Sequence, residues 1–155
     1  MSVPLFVPHV RWRASNPQEI YGGDAMGFVE FRDHKYISLE TFKKSGEGIK
    51  TPVWFAADPA SDLATEGALL YIYTIGNTGK VKRIRNDGHV KIAPCTIKGV
   101  PLGEFVDAKA EIVTGEVASQ GMKLLNKKYF PLKQILGFFA LFSRRERVVM
   151  SIRPA

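Results

Sequence analysis

The sequence contains a single cysteine, Cys95, among its 155 residues. One thiol cannot form a disulfide within the chain, and it cannot supply the several cysteine ligands of a structural zinc site. Chains without disulfides are typical of the reducing interior of the cell, so we expect a cytoplasmic protein. Cys95 follows Pro94 in an apolar segment, and we interpret it as a small core residue rather than a reactive thiol.

Long apolar segments are also missing. The most apolar stretch, residues 135–142, is much shorter than the roughly 20 residues that a helix needs to cross a bilayer. The N-terminus has no basic start followed by a long apolar core and a small-residue cleavage site, as a secretory signal peptide has. We therefore expect no membrane partner.

Recognisable catalytic constellations are absent as well. The three histidines, His9, His34 and His89, are far apart in the sequence, and we interpret each as a structural or surface residue. The carboxylates show no metal-ligand spacing, and no serine or cysteine lies in a known nucleophile motif. We therefore predict neither a metal site nor a catalytic side chain. If the protein is an enzyme, a bound cofactor carries the difficult chemistry.

Positive charge is present in excess, with 22 Lys and Arg against 15 Asp and Glu and a net charge of +7. Such a balance favours an anionic partner, which could be a phosphorylated cofactor, a polyanion, a nucleic acid or a membrane surface. A barrel that binds single-stranded nucleic acid needs aromatic residues among its basic ones. The basic stretch 79–91 contains none, so we expect no nucleic-acid partner.

Alternating apolar and polar residues predict five β-strands, and the nearly continuous apolar run at residues 68–74 predicts a sixth, which we expect to be covered on both faces. Short turns join most of them. The strands lie near residues 36–41, 49–56, 68–74, 90–94, 106–112 and 147–153. Helical patterns begin near Gly79, Thr114 and Pro131, and Thr78 is placed to cap the first of these helices. Six antiparallel strands favour a mainly β fold, closed into a barrel so that no strand edge is exposed.

The first 30 residues contain three prolines and fit no regular pattern. We therefore divide the chain into an N-terminal arm or extension, residues 1–30, and a barrel domain, residues 31–155.

The segment from Leu69 to Cys95 is the best candidate for a functional site. An apolar strand leads into a glycine-containing turn and then into the basic helix. Hydroxyls (Thr74, Thr78), glycines (Gly76, Gly79) and lysines (Lys80, Lys82) meet there. Amides at a helix start bind anions, and lysines near that positive end make better sense with an anion between them. The alternative interpretation is a turn followed by a solvated basic helix.

A second candidate is the strand around Pro52, Val53 and Trp54. Proline cannot donate a ladder hydrogen bond, so we expect a free edge or a bulge at Pro52. A planar ligand could lie against such exposed backbone, with Trp54 as one wall. The alternative is that Trp54 is an ordinary core residue.

Several ordered segments resemble the flavin- and deazaflavin-dependent oxidoreductases of the pyridoxamine 5′-phosphate oxidase class, especially the branch that uses the deazaflavin coenzyme F420. The matching segments are 36–42, 51–55, 71–86, 99–113 and the region of Lys128 and Tyr129. The resemblance implies a six-stranded split β-barrel of the FMN-binding type that forms a homodimer, with the cofactor in a groove between subunits.

By position, the resemblance places Thr74, Thr78, Gly79 and Lys80 at the cofactor phosphate. It adds Lys82 and Arg85 as further cofactor-binding residues, and the sequence leaves the role of Arg83 open. In the same way, Pro52, Val53 and Trp54 would face the flavin or deazaflavin ring.

The implied function is an oxidoreductase that transfers a hydride between F420 or FMN and a small-molecule substrate. The extra basic residues suit the acidic tail of F420, while FMN needs only the phosphate site. The chain has Gly79-Lys80 where true pyridoxamine phosphate oxidases have Arg-Lys, and it lacks their C-terminal substrate-binding segment, so vitamin B6 oxidation is not expected. The alternative is a non-catalytic protein that binds flavin, deazaflavin or haem on the same barrel.

Overall fold

A computed structural model describes residues 27–76, 78–129 and 147–155 of the chain. Within them it contains six β-strands and two α-helices, preceded by a 3₁₀ turn at Val29–Phe31. The strands are β1 (Tyr36–Phe42), β2 (Gly48–Ala57), β3 (Leu70–Ile75), β4 (His89–Cys95), β5 (Val106–Val113) and β6 (Arg147–Pro154). The helices are α1 (Gly79–Asn86) and α2 (Gly115–Lys128). The predicted helix from Pro131 and most of the predicted N-terminal arm lie outside the described residues.

The six strands form one closed antiparallel barrel in the order β1-β2-β3-β6-β5-β4, with β4 returning to β1. The predicted fold class, a mainly β six-stranded barrel, is therefore confirmed. The C-terminal strand β6 lies between β3 and β5 and pairs with both over most of its length. This position closes the sheet, because it joins the first three strands to the β4–β5 pair.

Strand β2 changes its neighbour partway along its length. Residues 48–54 pair with β1, and the last pair joins Trp54 to Tyr36. Residues 55–57 pair with β3 instead, beginning with Phe55 and Ile72. Pro52 lies in the first part, where it faces Ser38 and where β2 has no ladder partner on its other edge among the described residues. The missing N–H of proline is tolerated at such an edge, as the sequence predicts.

Alternate residues of every strand point into the barrel and form its core, as period-two patterning requires. The fully buried members include Ile37, Leu39, Leu70, Ile72, Val90, Ile92, Met150 and Ile152. Helix α1 packs against β1 and β5 and adds Val81 and Ile84 to the same core. It therefore contributes to the interior of the barrel rather than to an outer layer.

Helix α2 lies on the outside of the barrel, across β2, β3 and β6. Its buried residues Gly121 and Leu125 meet a second apolar cluster that includes Tyr71 and Val149. As predicted, β3 is covered on both faces, by the barrel core and by α2. Among the residues that the structure describes, no helix is long and apolar enough to cross a membrane, and no group of three His, Cys, Asp or Glu could hold a metal ion.

Candidate cofactor-binding site

The N-cap side chain at the start of helix α1 makes no hydrogen bond to the first amides of the helix. Thr78 occupies the N-cap position with an extended backbone, but its side chain does not cap the helix. Its hydroxyl instead donates to the carbonyl of Ile75 at 3.0 Å, which corrects the predicted capping role. The first turn contains no acidic residue. The first amides of a helix have no partner within the helix, so this end of α1 is suited to an anion.

Arg83 folds back along α1 toward that same end. Its Nε donates to the buried hydroxyl of Thr41 at 2.6 Å. A Cβ atom at position 79 would lie 2.7 Å from Nη1 of Arg83, so glycine there makes room for the guanidinium. Side chains in helices point toward the N-terminus, which brings residue 83 over residue 79. The structure therefore places Arg83 at the helix start.

Lys80 lies next to Arg83 and is half-buried. Its partial burial, and then the charge of Arg83, lower the pKa of Lys80 below its usual value. The two cations lie at the positive end of a helix dipole, which disfavours them unless an anion is present. The Lys80 ammonium, the Arg83 guanidinium and the positive end of the helix dipole together favour an anionic group at the start of α1.

Thr74 is the penultimate residue of β3, and only 8% of its surface is exposed. In the part of the chain that the structure describes, its hydroxyl has no hydrogen-bond partner. Buried hydroxyls normally have one, so Thr74 can accept or donate to a ligand that reaches it. Its predicted place with the helix start at a cofactor phosphate stays a prediction.

Lys82 and Arg85 are not grouped with these residues. Each residue advances by about 100° around a helix, which separates both from the face that Lys80 and Arg83 share. Both side chains are exposed. They can meet an acidic ligand segment only outside the helix start.

The predicted ring-binding strand presents its residues on two faces. Val53 is buried in the barrel core, so only its backbone can meet a ligand. Pro52 is exposed, and Trp54 is half-buried on the outer face. The Trp54 ring stacks on Tyr129, with centroids 4.9 Å apart and planes at 15°, and is tilted against Tyr73 at 6.2 Å. One face of the indole is therefore already covered by protein.

The sequence placed Tyr129, which follows the end of α2, in a segment that resembles the family but gave it no role in the site. Its hydroxyl accepts the amide hydrogen of Phe55 at 3.0 Å and lies within hydrogen-bond distance of two carbonyl oxygens, those of Phe55 and Lys35. The preceding residue, Lys128, donates to the carbonyl of His34 at 2.8 Å, and its ammonium lies 3.5 Å from the centre of the Phe55 ring. Nothing in the local pattern predicts these long-range contacts.

The described histidines form no catalytic arrangement. His89 is exposed, contacts Asp107 at 2.9 Å and stacks on Phe42. The carbonyl of His34 is the acceptor for Lys128. Cys95 is buried, as predicted, and burial raises the pKa of its thiol.

No known protein-family model matches the sequence, and no curated protein matches it significantly. Solved structures do share its fold. The chain is similar to HutZ, the haem storage protein of Vibrio cholerae, with 14% identity, coverage of 81% of this chain and 86% of that one, and a TM-score of 0.59. It is also similar to an F420-H2 dependent reductase, FDR-A, with 12% identity, coverage of 77% and 94%, and a TM-score of 0.52.

A third similar structure is a proposed pyridoxamine 5′-phosphate oxidase from Listeria innocua. Its identity is 17%, its coverage is 78% of this chain and 84% of that one, and its TM-score is 0.51. At such identities the likeness establishes the fold alone.

Proposed function

We propose, from the premise that this chain has the split β-barrel fold of pyridoxamine 5′-phosphate oxidase-like proteins, that it is an oxidoreductase. In this proposal it binds F420 or FMN and transfers a hydride between the cofactor and a small-molecule substrate. The observation that carries the proposal is the start of α1, where Lys80 and Arg83 flank an uncapped helix end without an acidic residue. An anionic ligand would balance this arrangement.

Each group at that end has a distinct role in the proposal. The first amides of α1 and the Lys80 ammonium hold the cofactor phosphate, with Thr78 and Gly79 at the N-cap and first position. Thr74 supplies a buried hydroxyl, and Arg83 adds charge while its bond to Thr41 fixes its position. The exposed Lys82 and Arg85 would contact an acidic tail, which F420 has and FMN lacks.

The ring of the cofactor would lie against β2, along the backbone of Pro52 and Val53 and the free face of Trp54. When bound, a flavin or deazaflavin ring supplies the hydride-transfer chemistry. The protein residues then position the ring and exclude water. No side-chain acid or base is assigned. Vitamin B6 oxidation is not proposed.

The test is titration of the purified protein with FMN and with F420, followed by absorbance and fluorescence. We expect saturable binding of at least one cofactor. Lys80→Gln should weaken either cofactor by about tenfold, as loss of a charge-assisted hydrogen bond in a partly buried site predicts. Lys123→Gln, which removes the same charge from the exposed face of α2, should leave both affinities unchanged.

Lys82→Gln separates the two cofactors. If Lys82 meets an acidic tail, this change should weaken F420 and leave FMN unaffected. A natural chain that binds neither cofactor, or an effect of Lys80→Gln no larger than that of Lys123→Gln, would count against the proposed site. Turnover is then measured with reduced nicotinamide or reduced F420 over a panel of small-molecule acceptors.

The likeness to HutZ favours a second candidate function, namely non-catalytic binding of flavin, deazaflavin or haem on the same barrel. Tight binding without turnover by any acceptor would support it. A Soret absorption band after haem addition would identify haem as the ligand, and steady turnover would argue against this candidate.

The proposed assembly is a homodimer with the cofactor between subunits, in the cytoplasm and without nucleic-acid or membrane partners. Its support is a group of exposed apolar side chains on the β4–β5 connection, Ile97, Val100 and Leu102. Sedimentation equilibrium should give twice the chain mass of 17.3 kDa. A monomeric mass at working concentration would contradict it.

A further inference from the structure

The change of partner along β2 leaves one pair of residues without their ladder bonds. The β1–β2 pairing ends at Tyr36 and Trp54. The next pair in register would be Lys35 and Phe55, but β1 has ended and Phe55 instead faces Ile72 on β3. In an antiparallel ladder, facing residues of a bonded pair exchange N–H···O bonds. The backbone of Phe55 therefore needs another partner on its β1 side.

The hydroxyl of Tyr129 provides that partner. It accepts the Phe55 amide hydrogen at 3.0 Å and can donate its own hydrogen to the carbonyl of Phe55, at 2.6 Å, or to that of Lys35. Tyr129 is only 6% exposed, and its burial raises the pKa of the phenol, so the hydroxyl keeps its proton. One phenol thus bridges the two strands where their own pairing stops.

The same residue fixes the orientation of Trp54. The two rings are stacked with centroids 4.9 Å apart, while the Tyr129 hydroxyl is bound to the backbone of the adjacent residue, Phe55. Lys128 holds the segment just before β1 by donating a hydrogen bond to the carbonyl of His34. The end of helix α2 therefore connects to the beginning of β1 and to the point where β2 changes its neighbour.

We infer that Tyr129 is a positioning residue that holds the ring-facing segment of β2, Pro52 to Trp54, in its binding geometry. The inference rests on the proposed function, because it assumes that a planar cofactor ring lies against that segment. Tyr129 itself does not need to touch the cofactor: it acts through the Phe55 backbone and the Trp54 ring. Its loss should therefore weaken recognition of the ring without affecting the phosphate site at α1.

The decisive variant is Tyr129→Phe, which keeps the ring stacked on Trp54 and removes only the hydroxyl. Affinities are measured for FMN and riboflavin, or for F420 and the same deazaflavin without its phosphate. We expect Tyr129→Phe to weaken the complete cofactor and its phosphate-free ring by the same factor, about tenfold, as loss of a buried hydrogen-bond partner predicts. We also expect inorganic phosphate to raise the Tm of the natural protein, and this rise should be retained in Tyr129→Phe.

Tyr71→Phe is the matched control. Tyr71 is equally buried in the cluster beneath α2, and its hydroxyl makes no hydrogen bond within the described chain. This change should leave ring affinity within about twofold of the natural protein. Equal losses of ring affinity in Tyr129→Phe and Tyr71→Phe would mean that Tyr129 has only a general packing role, which would overturn the inference. Loss of the phosphate-induced rise in Tm together with ring affinity in Tyr129→Phe would also overturn it.

Amide hydrogen exchange on the natural protein tests the bridge even if Tyr129→Phe does not fold. The Phe55 amide should be protected, because its hydrogen is bound to the Tyr129 hydroxyl. Rapid exchange of Phe55 would overturn the inference. Failure of the natural chain to bind any flavin or deazaflavin would instead overturn the proposed function, whereas unchanged binding in a folded Tyr129→Phe protein overturns the positioning role alone.

Discussion

At the scale of single residues, the start of α1 shows how one side chain changes the chemistry of another. Arg83 is three residues after Lys80, so both lie on one face of the helix. The charge of Arg83 adds to the effect of burial, and both lower the pKa of Lys80. Because the guanidinium is held by Thr41, it cannot easily move away from the lysine. An anion at this point would stabilise both cations.

This coupling predicts how anion binding depends on pH. A bound phosphate raises the pKa of Lys80, so affinity is greatest while Lys80 is protonated and falls as pH rises through its free-state pKa. That pKa lies below 10.5, so the fall should begin at a lower pH than for an ordinary lysine. Binding titrations with FMN or F420 between about pH 7.5 and 10 measure this fall in affinity.

Lys80→Arg is the control for this pH dependence. A guanidinium stays charged throughout the range, so the variant should bind with an affinity that no longer falls with pH. An identical fall in the variant would show that another group titrates.

At the scale of elements, the two helices contact different sides of the barrel. Helix α1 contributes Val81 and Ile84 to the interior, so its orientation, and that of its N-terminus, follows from core packing. Helix α2 lies outside, and Gly121 allows it to approach β3 closely. A Cβ at position 121 would lie 2.8 Å from a ring carbon of Tyr71.

Gly121→Ala should therefore destabilise the protein. The added methyl group meets the Tyr71 ring and Val149, both of which are buried. Overpacking exceeds the gain in helix propensity, and we expect a net loss of about 1 to 2 kcal/mol in unfolding free energy. Urea denaturation measures the change.

Gly79→Ala, on α1, provides the comparison. The new methyl group meets only the Nη1 end of the Arg83 side chain, which can shift slightly while Nε stays bound to Thr41. Its unfolding free energy should change by less than about 0.5 kcal/mol. A larger loss at 79 than at 121 would contradict this account of α2 packing.

At the scale of the whole molecule, the barrel closes through contacts between parts of the chain that are distant in sequence. Lys128 is one of these contacts, with its ammonium over Phe55 and bound to His34. The side chain as a whole keeps more than a third of its surface exposed. Its ammonium nevertheless loses enough water that burial lowers the pKa of Lys128 from 10.5 to about 8.

A lysine with a lowered pKa makes stability depend on pH. Between the folded pKa of about 8 and the unfolded value of 10.5, the unfolded chain binds more protons than the folded one. The contribution of Lys128 to the unfolding free energy therefore rises with pH across this window. The measurement is chemical denaturation of the natural protein and of Lys128→Met at several pH values.

The difference between the two stability curves isolates Lys128. The natural protein should gain stability relative to the variant as pH rises from 8 to 10. A constant difference would mean that the ammonium is as well solvated in the folded protein as in the unfolded chain. Cys95 and the buried tyrosines are present in both proteins, so their contributions to the pH dependence of stability cancel in the difference.

The sequence by itself determined the strands and helices of the described chain. Alternating residues show which face of a strand is buried, and the spacing of Val81 and Ile84 shows which face of a helix is buried, because both patterns are local. The edge position of Pro52 follows from its missing N–H. The cofactor-binding roles of Thr74, Thr78, Gly79 and Lys80 are also available from the sequence, although they stay predictions.

Only the tertiary structure decided how these elements meet. The position of β6 between β3 and β5, and the change of neighbour at Phe55, depend on contacts between residues far apart in sequence, which periodicity cannot report. Arg83 was undecided because its position depends on Thr41, 42 residues earlier. Tyr129 entered the sequence analysis only as part of a segment that resembles the family. Its hydroxyl acquires a role only because the barrel brings the backbone of Lys35 and Phe55 to it, just beyond the end of the β1–β2 pairing.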